Sequence, residues 1–205
     1  MRIIRLASFG AKVRSAEAAG SVVGEIRVYF EGDRALAPGF NKFFGLLRDQ
    51  ARERRCGFRL ISCRSGSKAV SDHDKALRNH PAAWNILLMD SEGPCKDPTS
   101  RSVFWMVEMM ESWFHADKEA LEKFYGRDFN QNALTRNPKV EEIQKADLKK
   151  GLSEATRNTR KGDYFEHKTS HGPRLLELID PEKVREAAPQ CKRLFTTVLT
   201  ELANS

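Results

Sequence analysis

Apolar residues fall into short runs along the first half of the chain, and their spacing changes from strand-like to helical and back. Glu25 to Phe30 is a β-branched and aromatic run that predicts a strand. Pro38 then opens a predicted helix through Arg55, with Phe40, Phe43, Phe44, Leu47 and Ala51 at helical spacing, and Gly57 stops it. Phe58 to Cys63 predicts a second strand. Past the Arg64-Ser65-Gly66-Ser67 turn, a helix is expected from Lys68 to Asn79, closed by His80-Pro81 because a residue before proline disfavours the helical region. Trp84 to Met89 predicts a third strand. The order β-α-β-α-β implies a parallel sheet with right-handed crossovers.

The second half is harder to read. After the Gly93-Pro94 and Asp97-Pro98 turns, Val103 to Met110 suits either a fourth strand or the start of a long helix. Ser112 to Tyr125 predicts a helix carrying Trp113, Phe114, Ala116, Leu121 and Phe124, ended by Gly126. The polar stretch Asn130 to Asn137 marks a boundary. Beyond it, Lys139 to Lys150 and Leu152 to Arg160 predict charged helices with thin apolar faces. A more amphipathic element from Pro181 or Val184 to Leu202 is expected to pack back on the core. The fold class expected is α/β: an open, mainly parallel sheet with helices on both faces, plus a helical C-terminal extension. Residues 1–24 are expected to form an N-terminal arm or extension, 25–129 the core, and 130–205 a basic helical region.

At 205 residues and 40% hydrophobic content the chain suffices for one α/β core. Its apolar runs are interrupted well short of the roughly 20 residues a membrane span requires, and its start lacks a signal-peptide pattern. Cys56, Cys63, Cys95 and Cys191 form no CxxC pair and have no histidine at zinc-finger spacing. Reduced thiols in a cytoplasm are therefore expected.

Charge adds a partner class. The net charge of +7 favours a polyanion, and Lys145, Lys149, Lys150, Arg157, Arg160, Lys161, Lys168, His171 and Arg174 crowd one late stretch. Acids, in contrast, stand where apolar runs meet loops in the first half. Phe30 runs into Glu31-Gly32, and Met89 into Asp90-Ser91-Glu92-Gly93. Carboxylates at the carboxyl ends of neighbouring parallel strands lie where open α/β sheets bind ligands, and together they can gather a hard divalent cation. The plainer reading of each is a solvated turn acid. Asp97 is a further candidate ligand. Glu108 and Glu111, three apart, share a face on a helix and oppose one another on a strand; the plainer reading makes them the rim of a packed Trp105, Met106, Met109, Met110 and Trp113 surface. Lys161, Tyr164, Lys168 and His171 suit a grip on a phosphate backbone with a stacked base, against the plainer reading of a solvated loop. His73 and His115 read as surface or packing histidines, and Arg52, Arg54 and Arg55 as cations complementing a helix end.

With this order of elements, Glu31 after the first strand and Asp90 with Glu92 after the third resemble the acidic signature of a Toprim domain over Glu25 to Tyr125. More narrowly, Phe30-Glu31-Gly32, Asp90-Ser91-Glu92-Gly93, Met106 to Trp113 with Ala116-Asp117, and Gly162-Asp163-Tyr164 through Lys168, His171 and Leu175-Leu176 resemble the DUF4276 family of small Toprim-like proteins. The resemblance implies a nuclease dependent on Mg²⁺, with Mn²⁺ as the alternative, cleaving phosphodiester bonds in DNA or RNA. Asp90 and Glu92 would hold the metal, Glu31 would serve as ligand or as general base or acid, and Glu108 or Glu111 would be an outer-shell or second-metal ligand. Lys161 and Lys168 would steady the scissile phosphate, His171 would donate a proton or hydrogen bond, and Tyr164 and Arg174 would complete the nucleic-acid grip. It also implies an AAA or ABC-type ATPase partner in a prokaryotic defence module, docking on the helices from Lys139 to Arg160. Self-association stays open.

One departure is Glu92, where the Toprim pattern has aspartate; its longer side chain puts direct coordination in doubt. A non-catalytic subunit binding nucleic acid or the ATPase is the alternative. A phosphoacceptor receiver domain would need an acid pair after the first strand, which Glu31-Gly32 does not supply. Primase activity lacks zinc-ribbon cysteines, and topoisomerase activity lacks a strand-passage domain.

Overall fold

A computed structural model describes residues 23–93, 95 and 99–204. The arm expected over 1–24 falls almost wholly outside these residues, as does Asp97. Four strands, β1 (Glu25–Phe30), β2 (Gly57–Ser62), β3 (Trp84–Asp90) and β4 (Val103–Met106), form one sheet in the order β2-β1-β3-β4. Every neighbouring pair is parallel, with Phe30 opposite both Ser62 and Leu88, and Asp90 opposite Met106. Side chains on a strand alternate between faces. Ile26, Val28 and Phe30 thus enter one core with Ile86, Leu88, Phe104 and Met106, while Tyr29 and Leu87 enter a smaller one with Cys63, Ala69 and Ala76.

Helix α3 (Gly66–Asn79) covers the smaller face, capped by the Ser65 hydroxyl accepting from the Lys68 amide. The larger face carries α1 (Ala37–Phe43) and α2 (Gly45–Glu53). The single helix expected from Pro38 to Arg55 is therefore two. The turn at Phe44 lets Phe40, Phe43 and Phe44 all face inward, where Phe43 stacks on Trp113 at 4.8 Å and meets Phe195 edge-on at 5.8 Å. Aromatic pairs at such spacings favour offset or edge-on contact.

Val103 to Met106 is a strand, which settles the ambiguity of that run. Next come α4 (Glu111–Ala116) and α5 (Lys118–Tyr125), split at Asp117. The Asp117 carboxylate accepts from the amides of Ala120 and Asp180 and pairs with Lys183 at 2.8 Å. Burial alone would raise its pKa, but these partners together hold it below the ordinary carboxylate value. A side chain with so many donors caps a new helix more readily than it sits inside an old one.

Beyond the boundary stretch, one helix, α6 (Lys145–Thr156), replaces the two expected. Helix α7 (Lys168–Leu178) forms where the composition suggests a loop, and α8 (Pro181–Ala187) and α9 (Pro189–Asn204) close the chain. This half is no loose appendage. Leu175, Leu176, Leu194, Phe195 and Val198 share the larger core with the sheet. At Gly39 on α1 an added Cβ would stand 2.6 Å from Leu176 Cβ and 2.7 Å from the Pro173 carbonyl oxygen, so α1 and α7 approach closely because that position lacks a side chain. Among the described residues no helix is long and apolar enough to cross a membrane.

Candidate functional site

From β1 the chain moves to β2 on one side, and β3 then returns to the other side of β1. The direction of winding reverses between β1 and β3, and this switch leaves a crevice at their carboxyl ends. Glu31 leaves β1 there, its amide donating to the Leu88 carbonyl at 3.0 Å. Gly32 follows at φ 137°, where an added Cβ would come within 2.5 Å of Leu36 Cδ1. A Cβ on Gly66 would lie 3.0 Å from Glu31 Oε2, which puts the Glu31 carboxylate over the first turn of α3. The positive end of a helix dipole favours a carboxylate in that position.

Asp90 ends β3, and its Oδ1 accepts from the Met110 amide at 2.8 Å. Burial pushes its pKa up to about 7; the charges of Glu111 and Glu31 push the same way, while the Met110 hydrogen bond and Lys168 oppose. Asp90, at the end of β3, thus feels two further carboxylates, one from the end of β1 and one from the start of α4.

Glu111 is the most deeply placed of them, fully buried at the first position of α4. Its Oε1 accepts from the Tyr164 hydroxyl at 2.7 Å and pairs with Lys168 Nζ at 2.7 Å. Its Oε2 has no hydrogen-bond partner among the described residues. A buried carboxylate oxygen without a donor is costly. The half-exposed Lys168 supplies the cation at this cluster, from the first residue of α7.

The remaining candidate residues lie elsewhere. Glu92, at φ 55°, is mostly exposed and pairs with Lys145 Nζ. Glu108 Oε2 accepts from the Lys145 amide at 2.5 Å, capping α6, whose own N-cap side chain makes no such bond. Glu92 and Glu108, two of the four expected metal ligands, thus fasten the start of α6, away from Asp90. The resemblance implies either Glu108 or Glu111 as a further ligand, and Glu111 is the one at the cluster.

Tyr164 requires a second correction. Its side chain is fully buried, edge-on to Phe114 at 5.8 Å, and its amide donates to Thr156 Oγ1 at 2.9 Å. A ring so enclosed cannot stack on a nucleobase; its hydroxyl instead serves Glu111. His171 sits one turn beyond Lys168 on α7, with Nδ1 3.1 Å from the Tyr125 hydroxyl and its ring edge-on to Phe124. Burial, His167 and Lys161 lower its pKa, which leaves the imidazole neutral at pH 7. Lys161 lies over the Phe124 ring at 4.8 Å, and Arg174 is exposed on α7.

Among the described residues no group of three or more His, Cys, Asp or Glu side chains already stands in a metal-ligating array. The residues present nevertheless fit a hard cation. Burial first, and then the charges of Glu111 and Glu31, raise the pKa of Asp90, and Glu111 keeps one oxygen without a donor; a divalent ion would satisfy both.

Fold and site together define an open parallel α/β protein with a carboxylate cluster at its switch point. Residues 102–199 match the family model DUF4276, a domain of unknown function, which supports that family for this chain. The match spans Glu111, Tyr164 and Lys168 and leaves out Glu31 and Asp90. Comparison with curated proteins and with solved structures gives no significant match.

Proposed function

We propose that this protein is a Toprim-like, Mg²⁺- or Mn²⁺-dependent nuclease that hydrolyses phosphodiester bonds in DNA or RNA. One observation carries the reading: Glu31, Asp90 and the buried Glu111, whose Oε2 lacks a donor, gather at the switch point beside Lys168. Asp90 and Glu111 would hold the cation. When bound, it would offset charge on the phosphate oxygens.

The chain's own groups would do the rest. Glu31, above the first turn of α3, would take the proton from an attacking water as general base. Lys168 would turn part of its charge from Glu111 to the phosphate, since its half-exposed side chain reaches both the carboxylate and solvent. Tyr164 would hold Glu111 in place from below. The Toprim and DUF4276 resemblance further supports an ATPase partner in a defence module, with a cytoplasmic location.

A non-catalytic subunit is the second reading. It is favoured by Glu92, which pairs with Lys145 and leaves Asp90 as the only member of the Asp-x-acid pair at the cluster. An assay on labelled single-stranded, duplex and RNA substrates with Mg²⁺, Mn²⁺ or EDTA, alone and with the ATPase, separates the two. The nuclease reading expects metal-dependent cutting that Glu31→Gln, Asp90→Asn and Glu111→Gln each reduce at least ~100-fold, on the scale of lost acid–base or metal chemistry. Cutting that persists in all three variants sinks it.

A further inference from the structure

A recess of about 430 Å³ is lined by Tyr125, Arg127, Asp128, Arg160 and Lys161. Two turns build it. The first follows α5 through Gly126 and Asp128, both at positive φ (71° and 69°), and the second leads from α6 to Gly162 at φ 79°. The Asn130 amide, donating to the Ala155 carbonyl at 2.9 Å, ties the first turn to α6. Three cations therefore share one hollow with a single carboxylate, Asp128, which lies 3.9 Å from the Arg127 guanidinium. One cation at each helix end would complement the dipoles; three around one concavity exceed that need. Lys161 is held over the Phe124 ring, which fixes its ammonium at the rim.

The recess is linked to the helix that carries Lys168. Tyr125 contacts His171, and His171 follows Lys168 by three residues on α7, about 5 Å along the helix axis. A strand with one phosphate at Lys168 would be led along the start of α7 toward the recess. An open recess edged by three exposed cations suits the backbone of a flexible single strand, which can bend to follow the surface, whereas a duplex is stiff.

We infer that Arg127, Arg160 and Lys161 form a backbone-binding subsite for single-stranded nucleic acid. The subsite rests on the nuclease reading for its role in cleavage, though its binding is measurable without any. The full-length protein is titrated in EDTA against fluorescent single-stranded DNA, RNA and duplex, by anisotropy, over a series of KCl concentrations. The Arg127→Gln/Arg160→Gln pair is expected to bind single strands at least ~10-fold more weakly. Its log affinity should fall with log salt by a slope shallower by about 1.4, two contacts at roughly 0.7 each. Both arginines are exposed, so thermal unfolding should not move. The exposed pair Lys75→Gln/Arg78→Gln on α3 serves as the control and should bind as wild type does.

Unchanged affinity and slope in the arginine pair overturns the subsite. An equal loss in the α3 pair, a wild-type preference for duplex, or no wild-type binding does the same. Preference between the DNA and RNA strands identifies the natural backbone, and either one supports the inference. If the arginine pair loses binding while the wild type cuts nothing with metal and ATPase, the subsite stands and the nuclease reading falls. Metal-dependent cutting with unaltered binding in the arginine pair has the opposite meaning: the nuclease reading stands and the subsite falls.

Discussion

Replacing Asp90 by asparagine should stabilise the metal-free protein at high pH and leave it unchanged in acid. Burial, Glu111 and Glu31 push the Asp90 carboxyl up to about 7, whereas an unfolded chain ionises near ~3.9. The folded state therefore binds this proton more tightly than the unfolded one. Its contribution to stability is fully present below about pH 4 and is lost as pH rises through about 7. Roughly three units at about 1.36 kcal/mol each set an upper bound of about 4 kcal/mol. Asparagine keeps a side-chain oxygen to accept from the Met110 amide and carries no charge, so it escapes the penalty. Urea denaturation in EDTA should then show Asp90→Asn more stable than wild type by about 2–4 kcal/mol at pH 8, and within about 0.5 kcal/mol at pH 4. Half-buried Glu141, also pushed up to about 7 by desolvation, adds a parallel pH dependence to both proteins; the difference between them cancels it. An equal gap at both pH values, or a variant less stable at pH 8, refutes the placing of Asp90 in a desolvated site beside Glu111 and Glu31.

Three further substitutions probe how that cluster is held. Tyr164→Phe removes the hydroxyl donated to Glu111 and should cost about 1–3 kcal/mol in chemical denaturation, with oligonucleotide affinity unchanged; weakened binding at full stability would return the ring to the nucleic-acid surface. Lys168→Met leaves the buried Glu111 without its cation. Because Lys168 is half exposed and water replaces part of the charge, the expected loss is about 1–3 kcal/mol, below the roughly 3–5 kcal/mol of a fully buried pair. A melting temperature equal to wild type would disprove the pairing. Gly39→Ala forces a methyl against Leu176 and the Pro173 carbonyl oxygen and should destabilise by about 1–3 kcal/mol; a neutral or stabilised variant would show that α1 and α7 do not pack so closely.

The first ninety residues are legible because each strand is a short apolar run closed by turn residues, and each crossover has helical spacing. The parallel sheet and the placement of Glu31 and Asp90 at one end of it follow directly. Helix breaks are not legible. Phe44 and Asp117 sit inside continuous helical patterns, and only the packing of Phe44 on Phe195 and the donors around Asp117 fix a turn at each. Helix α7 is hidden by its composition, since Ser170, Gly172 and Pro173 all lower helix propensity; Leu175 and Leu176, buried in the main core, supply the tertiary packing that overrides it. Tyr164 misleads for a related reason: a lone tyrosine among charges reads as exposed until its surroundings in space are known. The acids divide by what lies across from them. Glu92 and Glu108 meet the start of α6, and Glu111 meets Tyr164 and Lys168, all far away in sequence.

The division of the chain at 130 follows composition and not the site. Glu31, Asp90 and Glu111 come from before it, but the hydroxyl and the ammonium that make a buried Glu111 tolerable come from Tyr164 and Lys168 beyond it. Leaving an ionised carboxylate buried without partners costs several kcal/mol, comparable to the net stability of a small domain. The acid cluster therefore requires α7 in place, and α7 is kept there by Leu175 and Leu176 in the core it shares with α1 and the sheet. Any partner that shifted α7 would alter the charge balance around Asp90 and Glu111 without touching either residue, because Lys168 opposes the upward push on Asp90 while it pairs with Glu111.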